Sequence, residues 1–104
     1  MEKVPEEIMS KYRDGGRTAR LSMPDGTKEI LKVLKAYFVE DHNRQREYWK
    51  GFEVVEWSDG VKELRVCYWT RQRGTKNWVW GQFSTIIDLD RLKSLLKMIE
   101  KDPY

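Results

Sequence analysis

The sequence predicts an α+β fold, in which an antiparallel three- to four-stranded β-meander packs against helices and is followed by a C-terminal helix. Three observations predict it: helix-like apolar spacing early in the chain, aromatic and β-branched runs separated by turns, and a leucine-rich amphipathic segment at the end. A chain of 104 residues fits one domain. We divide it into a helical part of about 1–42, a β-meander of about 46–86 and a C-terminal helix of about 88–101.

The first part of the chain is expected to be helical. Residues 5–8 place a proline and two carboxylates where a helix begins. After a turn at residues 24–26, apolar residues recur at three- and four-residue steps, which predicts an amphipathic helix. These residues are Ile30, Leu31, Leu34, Tyr37 and Phe38. A hairpin with residues 20–23 as its first strand is the competing interpretation, because β-branched residues here also suit a strand.

The middle of the chain is typical of three antiparallel strands. A three-residue loop at 58–60 and a second loop around 71–76 connect them. Because strand residues alternate between faces, the register sorts the side chains into two sets. The set expected to form the core is Phe52, Val54, Leu64, Val66 and Tyr68. If Thr70 pairs with Asn77, the opposite face carries a second set. Its members are Trp57, Arg65, Trp69, Trp78 and Trp80.

The C-terminal segment is predicted to be an amphipathic helix. Asp88 is a good N-cap, and lysines near the end suit the negative end of the helix dipole. The apolar stripe consists of Leu89, Leu92, Leu96 and Ile99. Leu95 and Met98 widen this stripe beyond what a lone helix needs against one sheet face, which leaves room for a dimer contact.

Composition excludes several classes of protein. Cys67 is the single cysteine and His42 the single histidine, so neither an intramolecular disulfide nor a Cys/His zinc site is expected, and no cofactor is predicted. The N-terminus lacks the apolar run of a signal peptide, and no stretch of 18 apolar residues predicts a transmembrane segment. The expected compartment is the cytoplasm. Abundant Lys and Glu suggest a thermophilic source.

The positive charge is concentrated in one hairpin. The chain carries +3 in total, with −1 over residues 1–60, +4 over 61–80 and zero over 81–104. Indole rings beside such cations are typical of single-stranded nucleic-acid binding, since bases stack on aromatic rings while Arg and Lys contact phosphates. The predicted contact residues within 61–86 are Arg65, Trp69, Arg71, Arg73, Lys76, Trp78 and Trp80.

Other interpretations stay open. Helices from the first forty residues can cover the tryptophan face, which would make the indoles a second core layer and the cations a solvated turn. The aromatic face can instead dock a partner protein or a second copy of the chain. Carbohydrate stacking on the same rings ranks last, because it does not call for the cations. A second basic cluster either extends a nucleic-acid track or is a solvated helix end. Its members are Lys11, Arg13, Arg17 and Arg20.

No enzyme is expected. The chain lacks the phosphate-binding, dinucleotide-binding, zinc-protease and serine-hydrolase motifs. His42 with Asp41 can be read as an acid/base pair of a small ribonuclease, but adjacent residues on a loop seldom point at one substrate, so a connector histidine is favoured. Cys67 is expected to be a small semi-buried hydrophobe. The carboxylates around the 58–60 loop, including Glu53, are interpreted as solvent-facing or paired with Arg65.

The second half of the chain resembles a known family. Residues 63–69, Glu-Leu-Arg-Val-Cys-Tyr-Trp, followed by a basic loop, residues 78–83, Trp-Val-Trp-Gly-Gln-Phe, and a leucine-rich helix, are similar to the ThermoDBP-related archaeal single-stranded-DNA-binding proteins. The outline also resembles the positive-cofactor-four type coactivators. These resemblances imply single-strand binding by aromatic and basic sheet residues, in a homodimer or higher homo-oligomer. The first half departs from the coactivator pattern, because a long helix is expected in place of a strand.

Overall fold

The structure, a computed structural model, describes residues 3–13, 16–81 and 85–102. Within these ranges the strands form one antiparallel sheet in the order β1-β2-β3-β4, and β5 and β6 both pair with the remaining side of β4. Six strands thus occupy five positions, where three to four were expected, and two helices complete the α+β fold. The elements are α1 (Glu6–Met9), a 3-10 turn (Ser10–Tyr12), β1 (Thr18–Ser22), β2 (Lys28–His42), β3 (Arg46–Glu56), β4 (Lys62–Gln72), β5 (Val79–Trp80), β6 (Thr85–Ile87) and α2 (Leu89–Lys101).

The segment expected to be an amphipathic helix is the long strand β2, so the prediction of a largely helical part up to residue 42 is wrong. The competing hairpin interpretation is confirmed, with β1 as its first strand. The register of β2 against β3 shifts between Val33 and Lys35, which leaves Leu34 as an extra, bulged residue. Because of this bulge, successive buried residues of β2 are two, three and two positions apart. The three-residue step resembles the apolar spacing of a helix. These buried residues are Leu31, Val33, Ala36 and Phe38.

The two predicted loops differ in outcome. The 58–60 loop is confirmed, since the Trp57 amide donates to the Val61 carbonyl at 2.9 Å and Gly60 takes a left-handed φ of 88°. In the second loop Thr70 pairs with Val79 and not with Asn77. A shift of two residues preserves the alternation, so Trp80 still lies beside Trp69 on one face. Gln82 and Phe83 lie outside the described residues.

The buried side of the sheet is the opposite of the one expected. We call the face that carries Val55, Cys67 and Trp69 the inner face, and the other the outer face. The predicted core set on the outer face is only half-buried, and Val66 is exposed. The inner face forms the core, in two clusters. One contains Val4, Ile8, Ala36, Phe38, Trp49, Cys67, Trp69 and Trp78, and the other contains Ala19, Leu31, Val33 and Val55.

The N-terminal segment covers the inner face. Ile8 is fully buried in α1, Val4 precedes the helix, and Tyr12 in the 3-10 turn packs against both clusters. Complete burial of one such aliphatic side chain contributes about 1.5–3 kcal/mol, so this short segment is held by its contacts and not by its own helical propensity. The Glu7 carboxylate also accepts a hydrogen bond from the Trp78 amide at 3.3 Å. Trp69 and Trp78 are therefore covered, as in the alternative interpretation, but by residues 4–12 and not by helices that extend over the first forty residues.

The C-terminal helix α2 has the N-cap and the residue range that the sequence predicts. The Asp88 carboxylate caps it by accepting from the Arg91 amide, and the Arg91 guanidinium holds the pKa of Asp88 below its usual range. No residue of α2 is buried, although its stripe is apolar. No helix in the described part of the chain combines the length and apolar character needed to cross a membrane.

Close approach of β2 and β3 requires a glycine at position 51. A methyl group added there would lie 1.7 Å from the Tyr37 carbonyl oxygen and 2.9 Å from the Cα atom of Phe38. These are backbone atoms of the paired strand, so no side-chain rotation relieves the overlap.

We expect Gly51→Ala to lower the free energy of unfolding by about 3 kcal/mol, because the two strands must separate to admit the methyl group. The matched control is Gly26→Ala, where φ is 87° but no atom lies within 4 Å of the added carbon. That change should cost about 1 kcal/mol from backbone strain alone. Urea denaturation of both variants measures the difference, and equal costs would contradict the close approach.

Candidate nucleic-acid interface

A buried carboxylate organises the centre of the inner face. Glu53 on β3 has no exposed surface, and its Oε1 accepts from Nε of Arg65 at 2.9 Å and also from the Nη2 group of that guanidinium. Its Oε2 lies 3.0 Å from Nε of Arg17 and accepts from the Tyr12 hydroxyl at 2.7 Å. One carboxylate therefore serves two guanidinium groups and one phenol. The predicted pairing of Glu53 with Arg65 is present, but inside the protein and not on its surface.

Two aromatic residues extend this network. The Trp69 indole donates to the Tyr12 hydroxyl at 3.0 Å. Burial, together with the hydrogen bond to Glu53, raises the pKa of Tyr12 far above its usual value. The phenol therefore stays protonated and bridges the carboxylate to the indole. The guanidinium groups of Arg17 and Arg65 lie over the Trp80 ring, with 4.1 and 4.7 Å between the Cζ atom and the ring centroid.

Three of the predicted contact residues are buried. Arg65, Trp69 and Trp78 are 4%, 4% and 7% exposed, so their rings and guanidinium do not present a surface for stacked bases or phosphates. Trp80 is half-buried, and two guanidinium groups occupy positions over its ring. The expectation of an open tryptophan platform is wrong for this face, because the N-terminal segment and the ion network fill the space above the indoles.

The predicted loop cations lie together at one end of the sheet, where they meet a second loop. The Arg73 amide donates to the Gln45 carbonyl at 3.0 Å, and its Nε donates to the Asn43 carbonyl at 2.9 Å. Arg46 pairs with Gln72 across β3 and β4. Five basic side chains therefore converge at this end, which we call the basic end. They are Arg44, Arg46, Arg71, Arg73 and Lys76.

Arg44 and Arg46 were not among the contact residues predicted from the sequence, although both belong to the basic end. The signal was present in the 58–60 loop, because extending its register by pairs places Arg46 opposite Gln72. Lys11 and Arg17 of the second basic cluster lie instead beside the tryptophans, with the Lys11 Nζ atom 5.5 Å from the Trp69 ring centroid.

The five cations of the basic end differ in whether other side chains hold them in place. Arg71 is held over the Trp78 ring at 4.4 Å and lies 3.1 Å from Glu47, and Arg46 donates to the Thr70 hydroxyl at 2.9 Å. The other three are exposed, and of the described residues none forms an ion pair with them. They are Arg44, Arg73 and Lys76. Exposed cations of this kind are available to phosphate oxygens.

A pocket of about 280 Å³ opens within the basic end. Aromatic, basic and acidic groups line it together: Tyr48, Trp78, His42, Arg73, Glu40, Asp41 and Glu47. The hydrogen bond from Lys50 holds the pKa of Asp41 below its usual range, so this carboxylate is ionised at neutral pH. Flat rings beside hydrogen-bond acceptors suit a planar heterocycle with amino groups.

The remaining reactive groups do not extend the site. Cys67 is buried, and burial raises the pKa of its thiol to about 12, so it is not a nucleophile at neutral pH. His42 lines the pocket with Asp41, whose carboxylate accepts from the His42 backbone amide at 2.8 Å. Among the residues that the structure describes, no three potential metal ligands come close enough to hold an ion.

Comparison of the chain with protein-family models, with characterised proteins and with solved structures finds no match.

We expect Glu53→Gln to lower the free energy of unfolding by about 3–5 kcal/mol, because it leaves two guanidinium groups without their carboxylate inside the protein. The matched control is Glu56→Gln on the same strand, since Glu56 lies 3.6 Å from Lys62 in a pair that keeps access to solvent, with Glu56 30% and Lys62 60% exposed. That variant should lose less than about 1 kcal/mol. Urea denaturation distinguishes them, and a small cost for Glu53→Gln would contradict the central role of the carboxylate.

The pH dependence of the stability of Tyr12→Phe tests whether the Tyr12 phenol is held in its protonated form. At neutral pH we expect this substitution to cost about 1–3 kcal/mol, because Glu53 and the Trp69 indole each lose a partner. The folded state raises the pKa of Tyr12, so its stabilisation is complete below the usual tyrosine value of 10.0 and decreases as the pH rises above that value. The stability gap between wild type and variant should therefore narrow above about pH 10 in urea titrations. A constant gap would show that the phenol is not held neutral.

Proposed function

We propose that the chain binds single-stranded nucleic acid at the basic end of the sheet. The observation that carries this proposal is that segments 43–47 and 71–76 meet at one end of the sheet and bring five basic side chains together, next to the carboxylates Glu40, Asp41 and Glu47 of the pocket. Phosphate contacts supply most of the affinity of such surfaces and do not depend on sequence. The exposed cations Arg44, Arg73 and Lys76 are the phosphate contacts in this proposal.

The pocket supports a single strand over a duplex. A base can enter a recess only when it is not paired, and it can then stack on a ring while its edge meets acceptor groups. Tyr48, which is half-buried, lines this recess together with the carboxylates Glu40 and Glu47, and the Lys50 Nζ atom lies 4.8 Å from the centroid of the Tyr48 ring. Carboxylates accept from the exocyclic amino groups of bases, so cytosine and other amino-bearing bases are the preferred occupants.

The proposal retains part of the predicted contact set and revises the rest. Arg71, Arg73 and Lys76 remain, with Arg71 positioned by Glu47 and Trp78. Arg65 and Trp69 become structural residues. Trp78 is buried and can contact the ligand only where it lines the pocket. The Trp80 ring packs against guanidinium groups, so it is not available for base stacking. The resemblance to ThermoDBP-related proteins points to the same class of ligand.

Self-association is a second proposal, and a specific observation favours it. The apolar stripe of α2 has no cover in the described part of the chain, and the outer face of the sheet also exposes large apolar side chains. The aromatic inner face is closed by its own chain, so a protein partner does not dock there. A homo-oligomer uses other surfaces than the basic end and is compatible with nucleic-acid binding.

Replacing the three exposed cations tests the binding site. We expect Arg44→Ala, Arg73→Ala and Lys76→Ala together to weaken binding of a single-stranded oligonucleotide and to reduce the log–log salt slope by about 2, since each lost phosphate contact contributes about 0.7. The matched control replaces Lys28, Lys32 and Lys62, three exposed lysines at the opposite end of the sheet. Fluorescence anisotropy at several salt concentrations measures both. Equal losses in the two triple variants would overturn the site.

Tyr48 variants test entry of a base into the pocket. Tyr48→Leu should weaken single-strand binding by about 5- to 160-fold, which corresponds to one stacked base, while Tyr48→Phe should retain binding because the ring remains. Duplex of the same length should bind more weakly than the single strand to the wild type and should respond to neither change. If Tyr48→Phe loses as much as Tyr48→Leu, stacking is not the interaction.

A further inference from the structure

The centre of the outer face of the sheet carries an apolar patch, bordered by charged residues such as Lys35 and Lys50, and this patch has no cover among the described residues of its own chain. Cross-strand pairing places Tyr37, Phe52 and Val66 in one row over β2, β3 and β4. Further apolar residues adjoin this row on the same face, and Val39 is 58% exposed. They are Val39, Val54, Leu64 and Tyr68. An antiparallel sheet usually turns polar residues toward water on its second face, so a continuous apolar row marks a surface that another element covers.

Two shallow grooves shape this surface. One, of about 320 Å³, is lined by Tyr37, Val39, Gly51 and Phe52 with the Lys50 stem. The other, of about 260 Å³, lies between Val54 and Leu64 and includes Leu89 at the start of α2. An amphipathic helix can place the side chains of its apolar face into grooves of this kind.

The chain itself carries an element with the matching surface. α2 has 13 residues and is therefore about 20 Å long. Five of its six apolar side chains are about half exposed or more, Leu92 is half-buried, and none is buried. Four of them, Leu89, Leu92, Leu96 and Ile99, follow heptad spacing, and Leu95 and Met98 widen the stripe beyond a two-helix seam.

We infer that α2 of one copy lies across the outer face of a second copy, and that the second copy's α2 lies across the first in return. This inference rests on the proposed self-association and not on nucleic-acid binding. The two surfaces that meet are the α2 stripe and the outer face. The helix starts beside the face it fits, because β6 pairs with β4 and Leu89 lines the second groove. In a dimer with two-fold symmetry, this arrangement covers the α2 stripe and the outer face of both chains.

Contact between two α2 helices alone leaves more surface exposed. Fewer than two full heptads make a short seam, and the row formed by Tyr37, Phe52 and Val66 would stay in water. A stable interface covers about 800 Å² on each partner. Reciprocal docking covers both the helix stripe and the sheet face of each chain, whereas the helix seam covers the stripe alone.

Sedimentation of glutamate variants tests the inference. We expect the wild type to have the mass of two chains, and Leu96→Glu on the helix and Val66→Glu on the sheet each to reduce it to one. Lys97→Glu on the polar side of α2 and Val61→Glu, at an exposed valine just before β4 and away from the apolar row, are the matched controls, and both should remain dimeric. If Val66→Glu remains dimeric while Leu96→Glu does not, the helices contact each other and the inference is wrong.

Disulfide cross-linking gives a second readout that does not require a folded glutamate variant. A chain carrying Ile99→Cys is refolded with a chain carrying Val39→Cys or Val66→Cys, and mild oxidation follows. Cys67 does not compete, because it is buried. Cross-links between helix and sheet chains support the inference, and cross-links only between Ile99→Cys chains overturn it. A monomeric wild type overturns both self-association and this inference and leaves the nucleic-acid proposal standing.

Discussion

The fold depends on one carboxylate without contact with water. The Glu53 side chain can lie inside the sheet because its oxygens meet guanidinium and hydroxyl groups from separate parts of the chain. Arg65 comes from the neighbouring strand, Arg17 from the segment before β1, and Tyr12 from the 3-10 turn. Satisfying this one group therefore fixes the N-terminal segment on the inner face. That placement buries Trp69 and decides which surfaces of the sheet stay open.

Local features of the sequence predicted local structure, and the errors arose where distant contacts decide. The 58–60 loop and the Asp88 cap act within a few residues, so both were predictable. β2 was misread because the bulge at Leu34 adds one residue to a two-residue period and makes a three-residue step. The core face was misassigned because the inner face carries a Glu and an Arg, and polarity alone assigns such a face to solvent. Only their mutual pairing makes burial possible.

The candidate site was predictable in its charge and not in its aromatic part. The charge run from Arg71 to Lys76 is visible in the sequence, and Arg73 and Lys76 do lie in an exposed loop, while Arg71 is a half-buried residue near the end of β4. Arg44 joins it through strand pairing across more than twenty intervening residues, which composition does not reveal. Whether a tryptophan is a platform or a core residue depends on what lies above it. Here that element is the N-terminal segment, whose docking no periodicity in the hairpin encodes.

The unequal lengths of β1 and β2 have a consequence for how the chain avoids aggregation. β1 pairs only with Lys28–Lys32, so in the described structure no strand lies beside the remaining ten residues of β2 on that side. An open edge of this length is a template on which another chain can add a strand. The bulge at Leu34 twists the edge, and Lys35, Glu40 and Asp41 place charge along it. These features disfavour strand addition, so the exposed edge can persist without joining sheets into fibres.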